Sequence, residues 1–501
     1  MRADVRTARV ARDGSSPTWQ AERSNVGRGR VEEERDVLEI LTIETPSLGD
    51  RSYIVTDGTF AAVIDPQRDI DRVLARIDER GLEITHVLET HNHNDYVTGG
   101  VELARVTGAS YVMAAAEEVF YEVHGIEDGD ELAVGGLTIR AMHTPGHTPT
   151  HVAYVASDGD HQAVFTGGSL LYGSVGRTDL VSRAMADQLT RAQHATARRL
   201  ADELDDDTTV LPTHGFGSFC SSAASDETSS HTDPNSGIEI STIGEQKRVN
   251  LALTITDTDE FVAKLLGGLD AYPRYYAHMA PRNRVGPGPI DLSPAIDADP
   301  AELAARIHAG EWVVDLRSRT AYAGDHVTGT VNVEVGNSFI TYLAWIVPWG
   351  MPVTLVGDTP DEVAEAQRQL VRVGIDRPAA QAIGGPDVFG AGIGRGSYRI
   401  ADLEELAKQL TDGRADIHVL DVRRNDERRA GGIAGSIHIP IHELERRMDE
   451  VPTGGEVWVH CASGYRASIA ASLLARGGRR PVLVDDSDHR LTELGFELVA
   501  G

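Results

Sequence analysis

Ten of the nineteen histidines fall between His86 and His214, and three blocks in that span place imidazoles directly after apolar runs. Thr90-His91-Asn92-His93-Asn94-Asp95 follows a run ending at Leu88, His143-Thr144-Pro145-Gly146-His147 follows a second, and Leu211-Pro212-Thr213-His214-Gly215 ends a third. Imidazoles gathered from several strand ends are one way to assemble a transition-metal site. Side chains at i and i+2 of extended backbone share a face, so His91 and His93 can both turn to one ion. An isolated histidine is more often a satisfied surface or core residue, the reading for His124, His161 and His194.

A second constellation surrounds Cys461. It follows the apolar run Val457-Trp458-Val459-His460 and precedes Ala462-Ser463-Gly464-Tyr465-Arg466, after which Ala467 to Arg476 reads as a helix. A strand, a tight loop and a helix in that order aim loop amides and the positive helix end at the thiol. That arrangement suits it to hold a persulfide or an anionic donor. Arg466 adds a fixed positive fork, and Ser463, Gly464 and Tyr465 supply the loop against which a substrate would lie.

The elements that must position these residues are strands and helices in alternation, an α/β pattern. From Leu38 the chain passes through Ser52-Tyr53-Ile54-Val55, Ala61-Ala62-Val63-Ile64-Asp65, a helix-like span from Asp69 to Arg80, and Ile84-Thr85-His86-Val87-Leu88. Asp259 to Leu269 reads as a helix, and Ser221 to Gly237 as an exposed loop. Pro281 to Pro289 (PRNRVGPGP) resists both helix and sheet and marks a linker over 281–296. Beyond it a repeat appears at an offset of 106 residues: Val313-Val314-Asp315-Leu316-Arg317 overlays Val419-Leu420-Asp421-Val422-Arg423, and Gly329-Thr330-Val331 overlays Gly435-Ser436-Ile437.

The C-x-x-G-x-R loop at Cys461, with Asp421-Val422-Arg423, Glu427 and Gly435-Ser436-Ile437-His438-Ile439-Pro440 upstream, resembles a rhodanese domain. The resemblance implies that Cys461 takes a sulfane sulfur and passes it to a nucleophile, with Arg466 orienting the anion. Tyrosine-phosphatase loops place their arginine one residue farther from the cysteine, and the shorter ring here favours sulfur. The copy at 297–395 shares the opening but has no cysteine, reading Val356-Gly357-Asp358-Thr359 where the loop should begin. It is expected to be a structural or docking domain. Its apolar insert Phe339 to Trp349 either packs on a neighbouring domain or fills its own core.

The histidine blocks resemble the metallo-β-lactamase fold, in the branch of glyoxalase II and the persulfide dioxygenases. There H-x-H-x-D-H is followed by a later His, an Asp after Thr-Gly, and a final His. Position by position, His91, His93, Asp95, His147 and His214 match ligand positions. Tyr96 stands where the first motif's last histidine belongs, and Thr166-Gly167-Gly168 puts glycine where a metal-binding aspartate is expected. The Fe(II) set of the persulfide dioxygenases would be His91, His147 and Gly168, so its carboxylate is missing. The binuclear site of glyoxalase II is impaired at the same place. His91, His93 and His147 remain as a three-imidazole set for one Fe(II) or Zn(II), with Asp95 as a further ligand or behind the ligands. His151 either compensates or is exposed, Ser169 could donate where the Asp was, Arg177 is expected to orient an anionic thiol substrate, and Cys220 is read as structural.

These resemblances imply an αββα metallo-β-lactamase sandwich followed by two small α/β rhodanese-like domains. The boundaries expected are a disordered tail at 1–34, the sandwich at 35–280, the linker at 281–296, the cysteine-free unit at 297–395 and the rhodanese with Cys461 at 396–501. That order resembles fused persulfide dioxygenase and sulfurtransferase proteins. The metal centre would oxidise a low-molecular-weight thiol persulfide to sulfite, and Cys461 would exchange sulfur with thiosulfate, sulfite or a thiol, linkage raising the local concentration. Two alternatives stay open: a metal-dependent thioester or related hydrolase, and a metal-free binding platform attached to a sulfurtransferase.

Composition narrows the partners. A chain of 501 residues suggests about three domains. Seventy-seven acidic against 47 basic residues leave a net charge of −30, which repels phosphate backbones and anionic membranes, so neither nucleic acid nor membrane is expected. Two cysteines cannot staple a chain of this size, and a reducing, cytoplasmic location is expected, without a secretory signal or a membrane span. Association into a homo-oligomer, a dimer or a tetramer, is expected as well.

Overall fold

The computed structural model describes residues 38–222, 231–232, 239–413 and 416–499. The tail expected at 1–34 lies outside the described residues, as does most of the loop expected from Ser221 to Gly237. The strands Glu39–Thr45, Asp50–Thr56 and Phe60–Ile64 pair antiparallel, and Glu83–Leu88, Ser110–Ala114 and His124–Ile126 extend the same sheet in parallel. Alternation along the strands sorts residues by face. Val55, Ala62, Ile64 and Leu88 turn to a second sheet, while Ile54, Val63 and Val87 turn to the helices Asp71–Arg80 and Gly100–Thr107.

The second sheet runs from Glu131–Val134 through Leu137–His143, Val152–Ser157, Gln162–Gly167 and Thr209–Pro212 to Glu239–Thr242 and His231–Thr232. Its outer residues Met142, Val155, Val164 and Val210 are covered by the helices Ala186–Glu203 and Thr258–Gly268. The layers are therefore αββα, as the sequence predicts. Phe60–Ile64 runs parallel to Glu83–Leu88, and Gln162–Gly167 parallel to Thr209–Pro212. The loops leaving these four strands carry Asp65, Glu89 to Asp95, Gly168 and His214, and parallel pairing delivers them to one edge of the sandwich.

The segment read as a linker departs from expectation at its start, because the helix Tyr276–Val285 runs through Pro281. An interior proline costs about 3 kcal/mol through its missing amide, and tertiary bonds outweigh that cost here. Asn283 in the last turn donates Nδ2 to the carbonyls of His93 (3.1 Å) and Tyr96 (2.9 Å) and accepts from the Thr98 amide (2.9 Å). The helix thereby clamps the histidine loop.

Two parallel sheets follow. Val331–Asn332, Trp312–Asp315, Val353–Gly357 and Ala380–Ile383 lie side by side. Ile437–His438, Ile417–Asp421, Glu456–His460, Pro481–Val484 and Arg399–Ala401 take the same order with one strand added. The 106-residue offset persists in atomic detail. Arg317 closes its fork on Asp315 (2.9 and 2.7 Å) and donates to the Asp325 carbonyl (2.9 Å). Arg423 does the same to Asp421 (3.0 and 2.8 Å) and to the Gly431 carbonyl (2.7 Å).

The insert realises both of its expected roles. Ile340 and Leu343 of the helix Phe339–Ile346 join the core beneath Trp312 and Val314. The opposite side reaches outward. Thr341 Oγ1 donates to the Ser47 carbonyl (2.9 Å), Trp345 meets Phe219 edge-on (5.0 Å) and stacks on His442 (4.5 Å), and Tyr342 lies 6.0 Å from Tyr465. A helix apolar all round is what a wedge between neighbours requires. No helix among the described residues is long and apolar enough to cross a membrane.

Candidate functional site

His91, His147 and His214 are buried, and one ring nitrogen from each lies within 4.8 Å of the others. His91 Nε2 and His214 Nε2 are 3.3 Å apart. Two nitrogens bound tetrahedrally at about 2.0–2.1 Å would stand roughly 3.3–3.4 Å apart, so the spacing fits a shared metal. Every ring is anchored at its other nitrogen. His91 Nδ1 meets Thr90 Oγ1 (2.8 Å), His147 Nδ1 donates to the Arg177 carbonyl (2.8 Å), and His214 Nδ1 donates to Asp50 Oδ1 (2.9 Å). His147 Nε2 is buried without a hydrogen-bond partner. Anchors of this kind orient imidazoles toward a metal, and the donor set fits one transition ion.

Electrostatics agree with that reading. Burial and the neighbouring rings hold His91 well below the ordinary imidazole range and bring His147 down to about 3, so both are neutral donors. His214 behaves oppositely: burial disfavours its charge, but the Asp95 and Asp50 carboxylates raise it well above that range. Burial and Asp95 push Asp50 up to about 8, while Asp95, despite its burial, is held low by His214. The pocket therefore favours a cation at His214.

His93 stands beside His91, with ring centroids 4.1 Å apart, and its Nδ1 is buried without a hydrogen-bond partner. Its Nε2 faces Glu89 Oε2 (3.1 Å), Asp65 Oδ1 (3.3 Å) and the Tyr96 hydroxyl (2.9 Å). Burial opposes its charge, yet Asp65 and Glu89 raise it to about 9. It also forms a group with Asp95 and His214, and Asp95 Oδ2 lies 3.2 Å from His214 Nδ1. Tyr96, in the missing histidine's place, thus bonds to His93. The acids Asp50, Asp65 and Glu89 escaped the sequence reading. Their signal was available, since each sits at the margin of an apolar run. Asp65 is also the one non-glycine residue with positive φ (50°) among the described residues, a strained conformation that aspartate tolerates and that clusters at functional sites. Its carboxylate accepts from the Thr90 amide and hydroxyl (both 2.7 Å) and from the Thr213 hydroxyl.

The His147 ring lies against Gly168 and Gly176. A Cβ built there would stand 2.6 Å from His147 Cγ, and one at Gly176 would stand 2.7 Å from His147 Nδ1. The ring occupies a slot between two glycines. His151 is buried rather than exposed, and both of its nitrogens are spent, Nδ1 on Thr144 Oγ1 (2.8 Å) and Nε2 on the Gly168 amide (3.0 Å). Ser169 donates to the Thr166 carbonyl (2.7 Å), not into the site. Arg177 has its fork closed on Asp179 (2.8 and 2.9 Å) and donates to the Asp270 carbonyl, so its contribution here is the carbonyl that holds His147. Cys220 is wholly buried, and burial pushes its thiol up. His194 bonds to Thr258 Oγ1 and the Ile255 carbonyl, as a satisfied core histidine should.

The cysteine loop has the expected order: the strand Glu456–His460, Cys461, and the helix Tyr465–Arg476. Gly464 turns into that helix at φ +84° with Asp485 pressed against its α-carbon, so no side chain fits there. Arg466 makes a bidentate pair with Glu427 (2.5 and 2.7 Å). Ser463 is exposed, while Cys461 is only 3% exposed. Residues that precede this domain reach the loop: Tyr342 lies beside the Arg466 guanidinium (6.0 Å to the ring centroid), and the Tyr465 hydroxyl donates to the Glu334 carbonyl (2.7 Å). A cavity of about 450 Å³ touching Arg177, Phe219, Asp270 and Arg424 separates the sandwich from this last unit.

Comparison with known proteins accords with this geometry. The sequence profile of the metallo-β-lactamase superfamily matches residues 50–214, and that of the rhodanese-like domain matches 402–487. The human mitochondrial persulfide dioxygenase ETHE1 is 30% identical over 225 residues, 44% of this chain and 75% of that protein. A hydroxyacylglutathione hydrolase of Methylococcus capsulatus is 36% identical over 163 residues, 31% of this chain and 60% of that protein. The crystal structure of a metallo-β-lactamase from Staphylococcus aureus superposes with a TM-score of 0.60 at 25% identity, covering 70% of this chain and 99% of the other. Similarity over three quarters of a relative, together with a sandwich that gathers its histidines at one edge, places this chain in the metallo-β-lactamase superfamily, with a rhodanese-like domain fused behind it.

Proposed function

We propose that the protein is an enzyme of sulfane-sulfur metabolism, in which the metal domain acts on a low-molecular-weight thiol persulfide and Cys461 carries sulfane sulfur. The observation that carries this reading is the convergence of three anchored imidazoles in a chain that also holds a rhodanese-like cysteine loop. A transition metal bound at His91, His147 and His214 supplies Lewis acidity and, as iron, redox chemistry toward dioxygen. The net conversion is RSSH + O2 + H2O to RSH, sulfite and two protons; the outer sulfur is oxidised and dioxygen reduced. Thr90, the Arg177 carbonyl and Asp50 fix the three rings, and their burial excludes bulk water. Sulfite then takes the outer sulfur of a Cys461 persulfide, leaving thiosulfate and the Cys461 thiolate.

The two parallel sheets are read as two copies of one rhodanese-like unit, the first without its cysteine. Their shared strand order and the duplicated arginine clamp on Asp315 and Asp421 support this. A second reading, thioester hydrolysis, is favoured by the donor set itself, because three imidazoles also suit Zn(II) with an open position. Oxygen uptake and sulfite release from a thiol persulfide, measured on Fe(II)- and Zn(II)-reconstituted protein, separate the two. Uptake matched by sulfite is expected; S-acyl thiol cleavage without uptake overturns the oxidative reading. Thiosulfate-to-cyanide transfer is expected to vanish in Cys461→Ser, and unchanged turnover there overturns the carrier role.

A further inference from the structure

Two linked contacts reach the cysteine loop from the four-stranded unit that precedes the rhodanese-like domain. Arg319 opens the helix Arg319–Gly324 and donates Nε to Asp485 Oδ1 (2.9 Å), 166 residues farther along the chain. Glu334, just past the strand Val331–Asn332, accepts the Tyr465 hydroxyl at its carbonyl (2.7 Å). The two are joined, because Arg319 Nη1 also donates to Glu334 Oε2 (3.1 Å).

Both contacts land between Cys461 and Arg466. Asp485 follows the strand Pro481–Val484, and its carboxylate lies against the α-carbon of Gly464, whose φ of +84° turns the chain into the helix Tyr465–Arg476. Tyr465 is the first residue of that helix, and no side chain caps it at Gly464, so neighbours fix the turn. The domain's own holds are at the ends of the loop: the Asp488 amide donates to the Ala462 carbonyl (3.0 Å), and Glu427 grips Arg466 (2.5 and 2.7 Å). The middle of the loop is held from the preceding unit.

A carboxylate pressed on this turn needs a partner. Alone, its charge would oppose an anionic sulfur held three residues away, and its side chain would be free to rotate off the turn. Arg319 pairs the charge and fixes the rotamer together. The two side chains are 27% and 20% exposed, and an ion pair so exposed adds little to overall stability, so its effect is local.

We propose that the four-stranded unit positions the cysteine loop for sulfur transfer, with Arg319 as the positioning residue that acts through Asp485 on the turn at Gly464, and Glu334 as its support through Tyr465. The role rests on the reading of Cys461 as the sulfur carrier and gives the unit without a cysteine a part in that transfer. With the turn held, an incoming sulfur anion meets a preformed loop rather than one that must first order around it.

Hydrogen–deuterium exchange in peptides spanning residues 462–465 of the full chain, read beside thiosulfate-to-cyanide transfer, tests it. Arg319→Met is expected to speed exchange there by about tenfold or more and to lower kcat/KM for thiosulfate by roughly 10- to 100-fold. Arg319→Lys, which keeps a charge within reach of Asp485, is expected to recover most of both. Tyr465→Phe removes one hydroxyl and should shift both in the same direction by about threefold; it keeps the test decisive if Arg319→Met fails to fold. Arg377→Met, which removes an arginine of the same unit bonded to Asp291 and Ser293, is expected to leave both at wild-type values. Wild-type exchange in Arg319→Met and Tyr465→Phe overturns the proposal, as does a loss of equal size in Arg319→Lys or Arg377→Met. If wild type transfers no sulfur while Arg319→Met still speeds exchange, the carrier reading fails and loop positioning stands. If Cys461→Ser abolishes transfer while Arg319→Met changes neither readout, the carrier reading stands and this inference fails.

Discussion

The imidazole of His147 lies against Gly168 so closely that a Cβ on residue 168 would stand 2.6 Å from its Cγ. The absence of a side chain at 168 leaves room for the ring, and His147 hangs in that slot from the Arg177 carbonyl. Gly168→Ala should therefore displace His147. We expect overpacking to cost about 1–3 kcal/mol and metal affinity to fall by roughly 10- to 100-fold, as for loss of a ligand's orienting contacts. Competition titration with a chromogenic chelator and a thermal melt check both; wild-type affinity in the variant would mean that His147 does not bind metal in this pose.

Ligand identity can be tested one ring at a time. His147→Ala and His214→Ala are expected to abolish stoichiometric metal binding, measured by mass spectrometry of protein purified in metal-supplemented buffer. Ser169→Ala, whose hydroxyl is spent on the Thr166 carbonyl, should retain full metal content. Metal retained in both histidine variants would refute the three-imidazole centre.

Tyr342 precedes the matched rhodanese-like domain in the chain yet lies beside its cysteine loop. Its ring stands 6.0 Å from the Arg466 guanidinium, and Cys461 is nearly sealed. Truncating a half-buried aromatic opens space beside the loop, so Tyr342→Ala is expected to speed maleimide labelling of Cys461 by about tenfold or more while Cys220, in the core, stays unlabelled. Peptide mass spectrometry over a time course reads this out. Identical labelling rates would show that the cover lies elsewhere.

Acid should strike the last unit through Asp421. Burial favours its neutral form, but His460 and the Arg423 fork hold its carboxyl well below the usual carboxylate range. A depressed folded-state pKa contributes stability that is fully present above the unfolded value near ~3.9 and is lost as pH falls through the folded one. Urea midpoints of wild type are expected to drop as pH goes below that value. Asp421→Asn should be less stable at neutral pH and lose less stability than wild type across the acid range; equal acid sensitivity in the variant would assign the effect to other groups.

Much of this was legible in the residues themselves. Strand ends could be located because Ile84 to Leu88 and Val457 to His460 are apolar runs cut off by polar residues, which put His91 and Cys461 on loops. Gly168 and Tyr96 were visible as departures from a motif. Their consequences were not: the filled slot beside Gly168 and the hydroxyl bond from Tyr96 to His93 depend on where neighbouring rings come to rest. The fork of Arg177 read as free for substrate, since nothing in the local sequence announced that Asp179 would close it. The helix through Pro281 likewise formed against local preference, held by Asn283 reaching back nearly two hundred residues.

Local pattern by itself determined the alternation of strand and helix, the three histidine blocks at strand ends, the cysteine loop and the 106-residue repeat, because periodicity and turn chemistry act over a few residues. Tertiary structure alone decided which imidazoles meet. His91 and His214 are 123 residues apart and come from different sheets, and each ring points where its Nδ1 anchor holds it. His214 thus joins His91 and His147, while His93 stands beside His91 with its Nε2 held by two buried carboxylates that no motif announces and its Nδ1 left without a partner.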